Sequence, residues 1–229
     1  MAANKNPPIS YIMTAPATGA YPTLFTPRAF KDERGVESKD KNFSLRLLFK
    51  PDQVDLPGIR AKLLEAAKQE WPAADENFLR SIQWPLQSGD ALADKAKAKS
   101  KDQEHLRGYL VMNSATGEAY PPGLGVIRNG AAVDVPFLPA EARAVFSGDF
   151  YGGMDCMVQF TFRAYQVGNN APCVKAYLQA VQSLAPQGAR NPKLEGGGGK
   201  SASGAFGQSV KGFVSSIDPT AGSGGGVMP

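Results

Sequence analysis

The tightest constraint on what this chain can fold into is the period-two alternation in two separated stretches, Asn42 to Lys50 and Met154 to Gln166. In NFSLRLLFK, Phe43, Leu45, Leu47 and Phe49 alternate with Ser44, Arg46 and Leu48. In the later stretch Met157, Val158, Phe160, Phe162 and Tyr165 are interleaved with Thr161, Arg163 and Gln166. Successive side chains of a strand point to opposite sides, so each pattern predicts a strand with a core face and an outer face. The chain therefore reads as mainly β.

Other segments are assigned by the same local rules. Ile9 to Thr14 predicts a strand before the turn-rich ATGAYP at 17–22, and LFTPRAF at 24–30 predicts a proline-fixed extended turn that buries Leu24, Phe25 and Phe30. The mixed charges of DERGVESKDK, 32–41, predict an exposed loop. Ile59, Leu63, Ala66, Ala67 and Glu70 recur at helical spacing, so Asp55 to Trp71 predicts a helix, with Pro57 in its first turn and Pro72 ending it. Residues 92–106 carry Lys95, Lys97, Lys99 and Lys101 at alternate positions and predict a solvated loop that either closes over a ligand or only solubilises. Leu106 to Asn113 and GVIRN at 125–129 predict strands, and Pro139 to Arg143 a helical turn. CVKAYLQAVQSL, 173–184, suits a helix as well as two short strands.

With 229 residues, 42% of them hydrophobic, the chain can build one ordinary core with material to spare. The expected layout is a flexible N-terminus at 1–8, one domain at 9–195 and a flexible Gly-rich tail at 196–229. The last segment has 11 Gly in 34 residues, a composition that does not repay the entropy of ordering. Phe206, Val210, Phe213 and Val214 give it an adhesive middle. Nowhere does the chain reach the roughly 20 apolar residues of a spanning helix, and a soluble intracellular protein is expected.

Chemistry is sparse. His105, the only histidine, has no second histidine for a zinc site, and Cys156 and Cys173 alone cannot make one. Both cysteines are expected to be free, as suits a reducing compartment. GGGG at 196–199 followed by Lys200 lacks the spacing that cradles phosphates. Asp32, Glu33, Asp40, Asp149 and Asp155 leave open a metal nuclease built from scattered carboxylates, though no local motif gathers them. The expectation is no catalytic residue, no metal and no cofactor.

What the chain does have is cations among rings. Lys and Arg number 25 against 21 Asp and Glu, for a formal charge of +4 and a pI near 9.0, which favours polyanions. Proteins that hold single strands without reading sequence need a positive groove and exposed rings. The candidate contacts are Tyr21, Arg28, Lys39, Lys41, Arg46, Lys50, Arg107, Tyr109, Tyr151, Arg163, Tyr165 and Lys175. Alternation favours Arg46 and Lys50 over the Phe43 face, and Arg163 and Tyr165 over Phe160 and Phe162. A plain β-core with solvated charges is the competing reading of the same residues.

Three stretches carry a family resemblance: YPTLFTPRAF at 21–30, NFSLRLLFKPDQ at 42–53 with the helix that follows it, and VFSGDFYGGMDCMVQFTFRAYQVGNNAPCVKAYLQAVQSL at 145–184. On these the chain resembles the bacteriophage single-stranded-DNA-binding protein family over about residues 9–195. The resemblance implies an oligonucleotide-binding (OB) fold: a five-stranded barrel with one or two helices, long loop insertions and a disordered C-terminal arm. It favours a strand at 173–184. It also implies non-catalytic coating of single-stranded DNA in phage replication or recombination, in the cytoplasm of the infected host, with a polymerase, helicase or recombinase as partner. The tail departs from the acidic terminus common in that functional class, since it has Lys200 and Lys211 against Asp218. The alternative reading is a phage structural or assembly protein that binds other subunits.

Overall fold

The alternating stretches become long strands because only extended backbone puts every second side chain into one core. In the computed structural model, which describes residues 7–31, 36–136, 140–184 and 191–195, β1 spans Ile9–Ile12, β2 Ala17–Lys31 and β3 Glu37–Phe49. Then come α1 (Leu56–Glu70), α2 (Glu76–Ser81), β4 (Leu86–Ser88), α3 (Gly89–Lys97), β5 (Leu110–Gly117), β6 (Gly123–Arg128), β7 (Ala131–Asp134), α4 (Ala140–Ala144), β8 (Asp155–Tyr165) and β9 (Cys173–Ser183). The N-terminal residues 1–6 and the Gly-rich segment 196–229, expected to be flexible, lie outside the described residues.

Five strands close on themselves. β2 pairs with β3, β3 with β5, β5 with β9, β9 with β8, and β8 back with β2. All these pairs are antiparallel except β5–β9. With its strands taken in chain order, the ring runs 1-2-3-5-4, the order of the OB barrel, as expected from the resemblance. Closure removes the sheet edges that an open sheet of this size would expose. β1 extends the sheet from β8, β6 and β7 extend it from β9, and β4 pairs beside β5.

The barrel interior holds Leu45, Leu47 and Phe49 of β3, Met112 of β5, Val158, Phe160 and Phe162 of β8, and Val174, Leu178 and Val181 of β9. Each fully buried large apolar side chain contributes about 1.5–3 kcal/mol, so these alternating positions specify strand register strongly. α1 adds Ile59, Leu63, Ala66 and Ala67 to the same core and packs on β1, β8 and β9. Asp55 caps it by accepting from the Gly58 amide at 3.0 Å, and Pro57 sits in the first turn as expected. A second, smaller cluster of Ala20, Leu48, Leu106, Val111 and Leu194 lies on the outer side of β3 and β5, with Tyr21, Leu92 and Tyr109 packed against it.

The structure differs from the sequence reading in several elements. ATGAYP and LFTPRAF are not turns but parts of β2, which keeps Pro22 and Pro27 by interrupting its ladder with register shifts at Ala20/Thr23 and Thr23/Arg28. A bulge asks no amide hydrogen of the proline it contains. The loop expected at 32–41 is shorter, because β3 begins at Glu37 and pairs with Lys31. The lysine run is not all loop: Lys95 and Lys97 end α3, whose Ala93 and Ala96 are buried and whose N-terminus Ser88 caps. The strand predicted from Leu106 begins at Leu110, since Glu104–Leu106 forms a 3₁₀ turn. The strands at 9–12, 123–128, 155–165 and 173–183, and the turn at 140–144, agree with expectation. β7 went unread although Asn129 and Gly130, both at positive φ (53 and 78), mark the two-residue hairpin turn that creates it.

Candidate nucleic-acid interface

The outer face of the barrel gathers the polar half of each alternating strand. β3 presents Asn42, Ser44 and Arg46, and β5 opposes them with Gly117, Ala115 and Asn113. The β5–β9 register of Ser114 with Ala176 puts Asn113 beside Lys175 on the outward side, and β9–β8 pairing sets Lys175 opposite Arg163. Arg46, Asn113, Lys175 and Arg163 thus form one row across four adjacent strands. At the usual spacing between paired strands the row is roughly 14 Å long. Leu48 and Val111, next along β3 and β5, are covered by the smaller cluster, and so the open part of this face begins at Arg46.

A groove of about 630 Å³ follows the row from Arg46 to Lys175, with Tyr21, Arg46, Trp84, Asn113, Lys175 and Tyr177 among its walls. Tyr21 reaches it because three β2 steps from Ala20 to Thr23 oppose two steps on β3, and the extra residue takes a left-handed φ of 52. Such a bulge re-aims a side chain. The Arg46 guanidinium lies 5.1 Å from the Tyr21 ring centroid and its Nε donates to Asn113 Oδ1 at 2.8 Å. Tyr21 Oη is 2.7 Å from His105 Nε2. At the other end of the row the Lys175 ammonium stands 5.2 Å from the Tyr165 ring centroid. Arg46 and Lys175 are therefore each held on a ring, which fixes their positions without neutralising them.

Burial sets the protonation states. It raises the Tyr21 phenol, an effect that Asp102 reinforces and Arg46 opposes. It pushes His105 below its ordinary value; Asp102 counteracts this, while Arg46 and Lys193 add to it. Arg46 is lowered by burial too, yet a guanidinium stays charged at neutral pH. Burial and the neighbouring Cys173 raise Tyr165, and burial raises Tyr177 against the pull of Arg163. At neutral pH the face thus offers fixed positive charge and neutral rings.

Of the predicted contacts, Tyr21, Arg46 and Lys175 line the groove, and Arg163 and Tyr165 continue the same outward face on β8. Arg28 is exposed opposite Asn42 and stands on the groove side at its outer end. Lys39 and Lys41 are exposed but share the alternation of Phe43, not of Arg46, and do not line the groove. Lys50 is exposed just past the end of β3. Arg107 pairs with Asp94 at 2.7 Å and with Glu104, so its charge is already answered within the protein. Tyr109 is half-buried against the smaller cluster.

Tyr151 is a correction. It is 1% exposed, among the largest fully buried side chains, and its ring offers no surface to a ligand. Phe150 and Met154 are buried with it in the same core. Trp84, Asn113 and Tyr177 were missed. Tyr177 had a signal in the alternation of 173–183, masked by an equally good helical period, whereas Trp84 sits in no periodic segment.

No family model matches the chain, and no curated protein matches it. Solved structures do. The C-terminally truncated single-stranded DNA-binding protein from bacteriophage Enc34 superposes with a TM-score of 0.55 at 14% identity, over 77% of this chain and 86% of that one. Its untruncated form gives 0.52, also at 14% identity, over 83% and 86%. The fold is the one found in bacteriophage single-stranded-DNA-binding proteins. A weaker likeness, at TM-score 0.49 and 12% identity over 80% and 91%, is to gp2.5, a single-stranded DNA-binding protein encoded by bacteriophage T7.

Proposed function

We propose that this protein binds single-stranded DNA without catalysis and largely without regard to sequence, coating it during phage DNA replication or recombination in the cytoplasm of the infected host. The observation that carries the reading is the cross-strand row Arg46–Asn113–Lys175–Arg163, flanked on one open face by Tyr21, Tyr165 and Tyr177. Three cations in line suit consecutive phosphates, and neutral rings beside them suit unstacked bases of any identity. Each base–ring stack contributes about 1–3 kcal/mol, which is enough to prefer an open strand over a duplex whose bases are already stacked. The phage proteins that share the fold are described as binding single-stranded DNA, which supports the same reading here. A polymerase, helicase or recombinase working on the coated strand is the expected protein partner.

Fluorescence anisotropy of a labelled poly-dT strand, beside a duplex of equal length at two salt concentrations, tests the proposal. Tighter binding to the single strand, falling with salt at a slope of about −2 for three phosphate contacts at ~0.7 each, is the expected result. No binding at low salt would overturn it and leave subunit assembly as the reading to pursue.

A further inference from the structure

A second concavity, of about 440 Å³, opens beside the groove between α1 and β4. Leu63, Leu64, Leu86 and Leu110 make its walls, and Arg60, Gln87 and Ser88 supply its polar groups. Leu63 is buried and belongs to the main core, so the floor is rigid, whereas Leu64 is 39% exposed at the mouth. Trp84 and Gln87 line both this pocket and the groove. The indole is pinned there by its N–H, which donates to the Leu79 carbonyl at 3.3 Å.

From this continuity we infer that the pocket is a base subsite: it receives one nucleobase turned out of the strand that lies in the groove. The inference rests on the proposed single-strand binding. An apolar cavity with a few polar groups at its edge is the usual form of a small planar-ligand site. The Trp84 ring at the junction offers a stacking face to a base passing from one concavity to the other. Gln87 and Ser88 each both donate and accept, and so can meet the edge of any base, which keeps the site tolerant of sequence. Arg60 supplies a cation for the phosphate next to the inserted base.

The test is a cycle between protein and strand. A dT strand of the shortest length that binds is prepared with a single abasic residue walked along it, and each strand is titrated against the wild-type protein and Leu64→Trp, which fills the mouth. At one position loss of the base should weaken the wild type about tenfold while hardly affecting Leu64→Trp. Equal losses for both proteins at every position would overturn the subsite and leave groove binding intact. Failure of the wild type to bind any single strand would instead sink the functional reading beneath it. A wild-type measurement needs no variant to fold: 2-aminopurine walked along the same strand should be quenched by the indole at one position more than at its neighbours. Uniform quenching would count against the pocket.

Discussion

At the scale of single residues, the face a side chain occupies decides what its charge can do. Arg46 and Lys41 are both basic residues of β3, but only Arg46 lines the groove. Arg46→Ala is expected to weaken dT binding and reduce the salt slope by about 0.7, whereas Lys41→Ala should leave the slope unchanged; anisotropy titrations over a salt series check both. Tyr151 belongs to stability. With a fully buried ring, Tyr151→Ala should cost about 3–5 kcal/mol in urea unfolding, as other large core aromatics do. His105 adds a pH dependence. Burial lowers its folded pKa below 6.5, so between those two values the unfolded chain binds more protons than the folded one. Stability should therefore fall as pH drops through 6.5 toward the folded pKa, and His105→Gln should remove that component of the pH profile in thermal melts.

At the scale of elements, α3 shows how an insertion is fastened to the barrel. Gly89 opens the helix where a Cβ would run into the Leu106 carbonyl and lie 2.7 Å from that of Tyr109. Its amide donates to the Tyr109 carbonyl at 2.8 Å, and the Gly108 amide donates to Asp90 at 3.1 Å. That close approach brings Leu106 onto Leu48 and Val111 and sets His105 beside Tyr21. Gly89→Ala is expected to cost about 1–3 kcal/mol by forcing the two segments apart. Urea unfolding measures that cost, and the His105 pH component should weaken in the same variant as the ring becomes less buried.

At the scale of the whole molecule, the barrel separates two jobs between the faces of the same strands. Phe160 and Phe162 hold the interior of β8 while Arg163 and Tyr165 stand outside it, and β3 divides Leu45 and Leu47 from Ser44 and Arg46 in the same way. The outward residues of the candidate interface thus stand on the same backbone as the core beneath them. All the interface residues named lie between Tyr21 and Tyr177. Deleting 196–229 is accordingly expected to leave dT affinity within about twofold of the full chain by anisotropy, if the groove supplies the phosphate and base contacts.

The sequence by itself determined the strands whose period is unambiguous, the helix α1 with Pro57 in its first turn, and the choice of Arg46, Arg163 and Tyr165 as outward residues. These follow from local geometry, because alternation and helical period are properties of neighbouring residues. It misread β2, α3 and Tyr151 for one common reason. Prolines in a strand, lysines on a helix and an aromatic ring between glycines are each unfavourable or exposed in isolation, and only tertiary partners reverse that: a bulge for Pro22, the smaller cluster and the Leu106 turn for α3, the barrel core for Tyr151. Barrel closure likewise decided the site. Residues 46, 113, 163 and 175 have no sequence proximity, and they become one row only because β3, β5, β9 and β8 pair side by side in register.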